Sequence, residues 1–227
     1  WLHGDVKVYS YWVGLKLHEI FVDGELDSTV FVLDESQMDG LAKPIIYLYP
    51  EKDTYVNVEL NLKGRLTHSY PNYQRGWSVL AKPDGTLIDQ DGKEYYALYW
   101  EGNNDQEFTV ADGFVVPGSE TTEFLEKSLD AVGLNRREAN EFIVFWLPIL
   151  EKNPYNLIHF STEEYQDMAQ LTITPKPESL IRVMMVYKPL EAPISIPVQD
   201  LSGMKIDRKG FTVVEWGGSL LKTPLAL

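Results

Sequence analysis

Three acidic residues of this chain stand next to aromatic ones. Glu51 follows Tyr49-Pro50, Glu101 follows Tyr99-Trp100, and Glu215 precedes Trp216. Two carboxylates beside aromatic platforms are the equipment of glycoside hydrolysis, one acting as acid and the other as base or nucleophile. The same residues also suit binding without catalysis, because stacking a sugar or a peptide on Trp100, Trp216 or Tyr99 needs no tuned pKa. Arg182 interrupts the apolar run Leu180-Ile181-Arg182-Val183-Met184-Met185-Val186 and requires a carboxylate partner, with Glu141, Glu215 and Glu101 as the candidates.

Other chemistries find less to work with. His3, His18, His68 and His159 are scattered, without the spacing of a metal site. The chain has no cysteine, which removes disulfides, a thiol nucleophile and thiolate metal ligands. Asp89-Gln90-Asp91-Gly92 has the outline of a calcium loop but lacks a third oxygen ligand before the glycine and a closing glutamate, so a polar hairpin turn is expected. There is no Gly-x-Ser-x-Gly elbow and no phosphate-binding glycine loop. Neither a metal nor a cofactor is expected.

Charge bounds the partners. A net charge of −14, spread along 227 residues, argues against nucleic acid and anionic membrane surfaces. No run of 18 apolar residues is present, so no membrane-spanning segment is expected. The chain opens at Trp1 without an initiator methionine, as a chain with its leader removed or a truncated one would; an extracytoplasmic or surface location is the expectation. Six Trp, 13 Tyr and 9 Phe suit both β-sheets and ligand-binding faces, so the count does not separate the two.

The elements that must position these residues are mostly strands. Lys43-Pro44-Ile45-Ile46-Tyr47-Leu48-Tyr49-Pro50 reads as a strand dry on both faces, with Ile45, Tyr47 and Tyr49 on one side and Ile46 and Leu48 on the other. Val56, Val58, Leu60 and Leu62 alternate with polar residues, which predicts a strand with one wet face. The turns Pro83-Asp84-Gly85 and Asp89–Gly92 predict a three-strand meander whose last strand runs from Glu94 through Glu101. Three further strands are expected within residues 5–33: Val6–Val13, Leu15–Val22 and, after the turn Asp23-Gly24-Glu25, Thr29–Leu33. A helix over 120–132, capped by Ser119 and stopped by Gly133, precedes a second that starts at the capping box Asn135–Glu138. The run Phe142–Leu147 is apolar all round and fits a buried helix or a buried strand; its β-branched and aromatic content, with Pro148 following, favours a strand after that short helix. A third short helix begins near Ser161. Strands over 157–160, 171–174 and 180–187 follow, then a proline-marked loop and a last strand Phe211–Trp216 closed by Gly217-Gly218.

The sum is a β-rich α+β fold of mostly antiparallel, sandwich-like sheets, with two or three short helices in the second half. It divides into an amino-terminal strand segment (1–40) packed on the body, a meander region (41–112) and an α+β region (113–227), forming one compact unit or two closely packed halves.

Four stretches carry a resemblance: Lys43–Pro50, Ala139–Pro148 (ANEFIVFWLP), Asn153–Asn156 (NPYN) and Phe211–Gly218 (FTVVEWGG). Over about residues 41–219 the chain resembles an uncharacterised family of bacterial proteins, a resemblance that implies no activity and no catalytic residue. The expected function is noncatalytic binding of a glycan or peptide through an aromatic-rich face. A glycosidase using two of Glu51, Glu101 and Glu215 is the alternative, and a structural or assembly protein is the third.

Overall fold

Seven strands form the central sheet of this fold, and the dry run Ile45–Tyr49 lies inside it. The computed structural model describes the backbone of residues 4–11, 15–22, 25–33, 40–104 and 106–222, and the side chains of 40–103 and 106–222. Two compact units result, Trp1–Asp39 and Gly40–Leu227. The first contains β1 (Gly4–Tyr11), β2 (Leu15–Val22) and β3 (Glu25–Leu33), an antiparallel meander on the predicted segments. Trp12 and Val13, placed in the first strand by their pattern, lie outside the described residues.

The second unit begins with β4 (Ala42–Tyr49), β5 (Thr54–Leu62), β6 (Gly64–Tyr70), β7 (Trp77–Ala81), β8 (Leu87–Ile88), β9 (Glu94–Tyr95), β10 (Leu98–Asn104) and β11 (Phe114–Pro117). Helices α1 (Thr121–Ala131) and α2 (Arg136–Leu150) follow, then β12 (Tyr155–Ser161), α3 (Glu163–Met168), β13 (Ala169–Thr174), β14 (Ser179–Leu190) and β15 (Thr212–Leu220). The large sheet has the order β11-β12-β14-β15-β4-β10-β6 and is antiparallel except for the parallel pair β14–β15. The smaller sheet, β13-β5-β7-β8-β9, is antiparallel throughout. The fold is thus β-rich α+β with mostly antiparallel sheets and, among the described residues, three α-helices in the second half.

Alternation places one layer on each side of the large sheet. Ile46 and Leu48 of β4, Leu98 and Trp100 of β10, Met184 and Val186 of β14 and Val213 of β15 pack into one core with Val56 and Val58 of β5 and Trp77 and Val79 of β7. Tyr165 and Met168 of α3 close that layer. The opposite residues face α2: Phe142 meets the Trp216 ring at 5.2 Å, and Trp146 meets Tyr187 at 5.7 Å. β4 is therefore claimed by apolar bodies on both faces, as its composition predicts.

Three local expectations are corrected. Phe142–Leu147 is not a strand but the middle of α2, which runs from Arg136 to Leu150 with Pro148 inside. Its capping box forms in full, and Phe142, Trp146, Ile149 and Leu150 bury one stripe while Val144 on the outside is 68% exposed. One-sided burial, not β-propensity, decides the element. The predicted strand Glu94–Glu101 breaks at Tyr96-Ala97, so that β9 ends the small sheet and β10 enters the large one. The alternation breaks there, with Ala97 and Leu98 both buried, and no polar turn announces the crossing. Finally, β15 does not stop at Gly217-Gly218 but continues to Leu220. Those glycines are there for close approach: a Cβ on Gly218 would lie 2.3 Å from the Trp146 indole. Gly218→Ala is expected to lower the unfolding free energy by about 1–3 kcal/mol through overpacking, read from urea unfolding, and Trp146→Phe in the same chain should return part of the loss.

Candidate functional site: a tyrosine and carboxylate face beside α2

The three carboxylates singled out by their neighbours end in three different places. Glu51 stands exposed in the bend after β4. Glu215 is opposite Ile46 in the register of β15 and β4, so its side chain enters the core between the sheets. Glu101 lies on the reverse face, because Tyr99 pairs with Ile45 and Glu101 is two residues on. Glu101 and Glu215 thus lie on opposite faces of one sheet and do not pair across a common space.

Glu215 is instead the centre of a sealed ionic knot. It is 0% exposed, accepts from Arg182 Nε at 2.6 Å through one oxygen and from Trp100 Nε1 at 3.0 Å through the other. The Arg182 guanidinium lies 4.3 Å from the centroid of the Tyr165 ring. Burial works against the Arg182 charge, and Glu215 and Tyr165 together outweigh it. Burial and the same carboxylate push the Tyr165 hydroxyl well above its ordinary range, and that hydroxyl makes no hydrogen bond of normal geometry. Of the three candidate partners for Arg182, Glu215 is the one used. Trp100 is fully buried in this knot, and Trp216 is fully buried under α2 with its Nε1 donating to the Tyr47 hydroxyl at 3.2 Å. The expectation that these two tryptophans stack a ligand is corrected: neither ring reaches solvent, since each sits where a sheet face meets its covering layer.

Tyr99 has a different surrounding. The cross-strand row Trp216–Ile45–Tyr99–Tyr70 runs over β15, β4, β10 and β6, and exposure along it rises from 0% at Trp216 and 3% at Ile45 to 65% at Tyr70. Helix α2 covers the first two strands and leaves β10 and β6 half open. The adjoining row brings Lys43, Glu101 and His68 together: Lys43 N–H donates to Glu101 Oε1 at 3.3 Å, and His68 Nδ1 lies 3.5 Å from Glu101 Oε2. Lys43 Nζ sits 4.4 Å over the Phe145 ring of α2, near both Glu101 and Glu141. Glu141 in turn accepts from the Tyr47 hydroxyl, whose ring stacks on Tyr49 at 6.2 Å.

Burial shifts three groups of this cluster, Tyr47, Tyr99 and Lys43, a pattern found at functional sites and in structural ion networks alike. Burial, then Glu141, pushes the Tyr47 hydroxyl up, and burial, then Glu101, does the same to Tyr99. Burial lowers the Lys43 ammonium below its ordinary value, against the pull of Glu141 and Glu101. Lys43 also has φ +51°, the one non-glycine in the left-handed region among the described residues. Such backbone strain persists only where its surroundings hold it. Of the residues predicted for the site, Tyr99 and Glu101 belong to this cluster. Lys43, Glu141, Tyr47 and His68 were missed as members, because they lie 31 or more positions from Tyr99 and Glu101 and only strand register and α2 unite them. The isolated lysine before Pro44 was the available signal.

The acids of the Asp89–Gly92 turn serve the turn itself, as a polar hairpin requires. Asp89 Oδ1 accepts from the Asp91 and Lys93 N–H groups, and Oδ2 accepts from the Tyr95 hydroxyl, which is thereby pushed up to about 12.

Two outcomes test these assignments. Arg182→Met strands a buried carboxylate and is expected to cost about 3–5 kcal/mol in urea unfolding, with Arg182→Met/Glu215→Gln recovering part of it. The Lys43 amine is expected to titrate below 10.5 by nitrogen-detected NMR, and Glu101→Gln or Glu141→Gln to lower it further. The sign follows from linkage: a depressed folded pKa means the unfolded chain binds more protons between the two values, so the Lys43 contribution to stability rises as pH rises through that window.

No protein-family model matches the chain, and no solved structure matches it. A curated protein of Butyrivibrio fibrisolvens, described as an uncharacterized protein in the bglA 3' region, is 42% identical over 72 residues, which are 30% of this chain and 74% of that protein. The chain belongs to the same family as that uncharacterized Butyrivibrio fibrisolvens protein.

Proposed function

We propose that this protein is a noncatalytic binding module that takes a glycan or a peptide on the tyrosine-bearing face of β4, β10 and β6. The observation that carries the reading is the gradient of burial along the row from Trp216 to Tyr70, which leaves the half-buried Tyr99 ring beside an anchored carboxylate. A ring fixed at its base and open at its edge offers contact area at little conformational cost, and nearby polar groups orient what it contacts. Glu101 is held by the Lys43 N–H and lies near His68, so its oxygens are fixed before a ligand arrives. Stacking and hydrogen bonding of this kind need no acid–base pair: Glu215 is sealed on the other side of the sheet, and Glu141, the acid that shares the face with Glu101, is engaged by the Tyr47 hydroxyl.

Tyr99→Ala is expected to weaken binding at least tenfold, about 1.4 kcal/mol, while the chain keeps its unfolding midpoint within a few degrees. Trp100→Ala should instead unfold the protein, since it empties a core position and strips a donor from Glu215. Titration calorimetry against glycan and peptide panels reads the first effect, and thermal unfolding reads the second. A ligand whose affinity ignores Tyr99→Ala would place binding elsewhere on the molecule.

A further inference from the structure

Among Glu101, Glu141, Lys43 and Arg137 the charges balance, although the chain as a whole carries −14. Glu101 and Glu141 supply two negative charges to the face. Lys43 stands near both, and Arg137 is close enough to act on the hydroxyls of Tyr49 and Tyr96. Glu138 and Arg208, at the amino-terminal end of α2, cancel each other in a two-point pair. His68 is 68% exposed and adds a donor or an acceptor according to its tautomer. Those four groups therefore leave little net field to reward a charged ligand, with Asp89 standing apart at the Tyr70 end behind Tyr95, yet the face is dense in fixed hydrogen-bonding groups of both senses: carboxylate oxygens that accept, an ammonium that donates, and tyrosine hydroxyls that do either.

From this balance we infer that the ligand class is a neutral, polyhydroxylated glycan, an inference that rests on the binding reading given above. A hexose unit presents an apolar C–H face that fits the Tyr99 ring and neighbouring hydroxyls that satisfy acceptor and donor together. Carboxylates are strong acceptors for such hydroxyls because a charge-assisted hydrogen bond is shorter and stronger than a neutral one. Lys43 is the positioning residue that makes this selective. Its backbone, held at φ +51°, aims its N–H at Glu101, and its ammonium offsets Glu101 and Glu141. Without that ammonium the two carboxylates would form an anionic site and favour cations instead.

The test compares neutral hexose oligomers with uronate oligomers, amine-bearing glucosamine oligomers and a peptide library, by calorimetry on the wild-type chain, Tyr99→Ala, Glu101→Gln and Lys43→Met. Neutral oligomers are expected to bind at least tenfold more tightly than either charged series and to lose at least tenfold with Tyr99→Ala or Glu101→Gln. Lys43→Met should shift preference at least fivefold towards the amine-bearing oligomers, a change of selectivity that a purely structural lysine would not produce; Glu101→Gln tests the face independently if Lys43→Met fails to fold. If a peptide or a charged glycan binds best and Tyr99→Ala abolishes it, the ligand class is wrong and the binding face stands. If nothing tested binds in a Tyr99-dependent manner, both are overturned.

Discussion

A charge pair inside the sandwich sets the terms for everything around it. Glu215 and Arg182 lie side by side in the parallel pair of β15 and β14, deep between the sheets. Each buried ion costs several kcal/mol to desolvate, which only close geometry and further hydrogen bonds offset. Trp100 must therefore bring its indole N–H to Glu215, and Tyr165 must lay its ring against Arg182. That demand fixes β10 two strands from β15 and holds α3 over β14. Purely apolar packing would tolerate several alignments of these elements. An ion pair that needs its neighbours' donors tolerates far fewer.

The opposite face of the same strands is governed by size and approach. Trp216 points away from the knot, under α2, and Gly218 allows Trp146 to descend onto β15. Helix α2 is thereby seated over β14, β15 and β4, and on the β10 side its cover ends at β4. β10 and β6 lie beyond it, so the tyrosines and charges they carry are half covered and not sealed. The candidate face is thus a by-product of where a helix stops. Its polar groups then organise one another: Lys43 reaches Phe145 and lies between Glu101 and Glu141, while Tyr47 leans on Glu141 from beneath.

Much of the fold was legible from local pattern. The period of two in 56–62, the glycine and aspartate turns of the meander, the dry run 45–49 and the Asn135–Glu138 capping box each found their element. Where local pattern failed, two physical states shared one pattern. Phe142–Leu147 is apolar enough for either a buried strand or a helix, and the stripe that Trp216 and Tyr187 require made it helix. Tyr95 and Leu98 belong to different sheets although no polar residue separates them. The glycines after Trp216 read as an ending, whereas the indole above them needed their missing side chains.

By itself the sequence determined the class of fold, the strands that form its core, the need of Arg182 for an acid and the absence of thiol chemistry. These follow from composition and short-range periodicity, which depend only on neighbours along the chain. Which acid would pair with Arg182, and whether a given tryptophan would meet solvent or core, depended on register between strands far apart in sequence. A shift of one residue exchanges the two faces of a strand, and that parity separated Glu101 from Glu215 and Tyr99 from Trp100. Adjacent in the chain, those last two residues ended on opposite sides of one sheet, one in the sealed knot and the other on the open face.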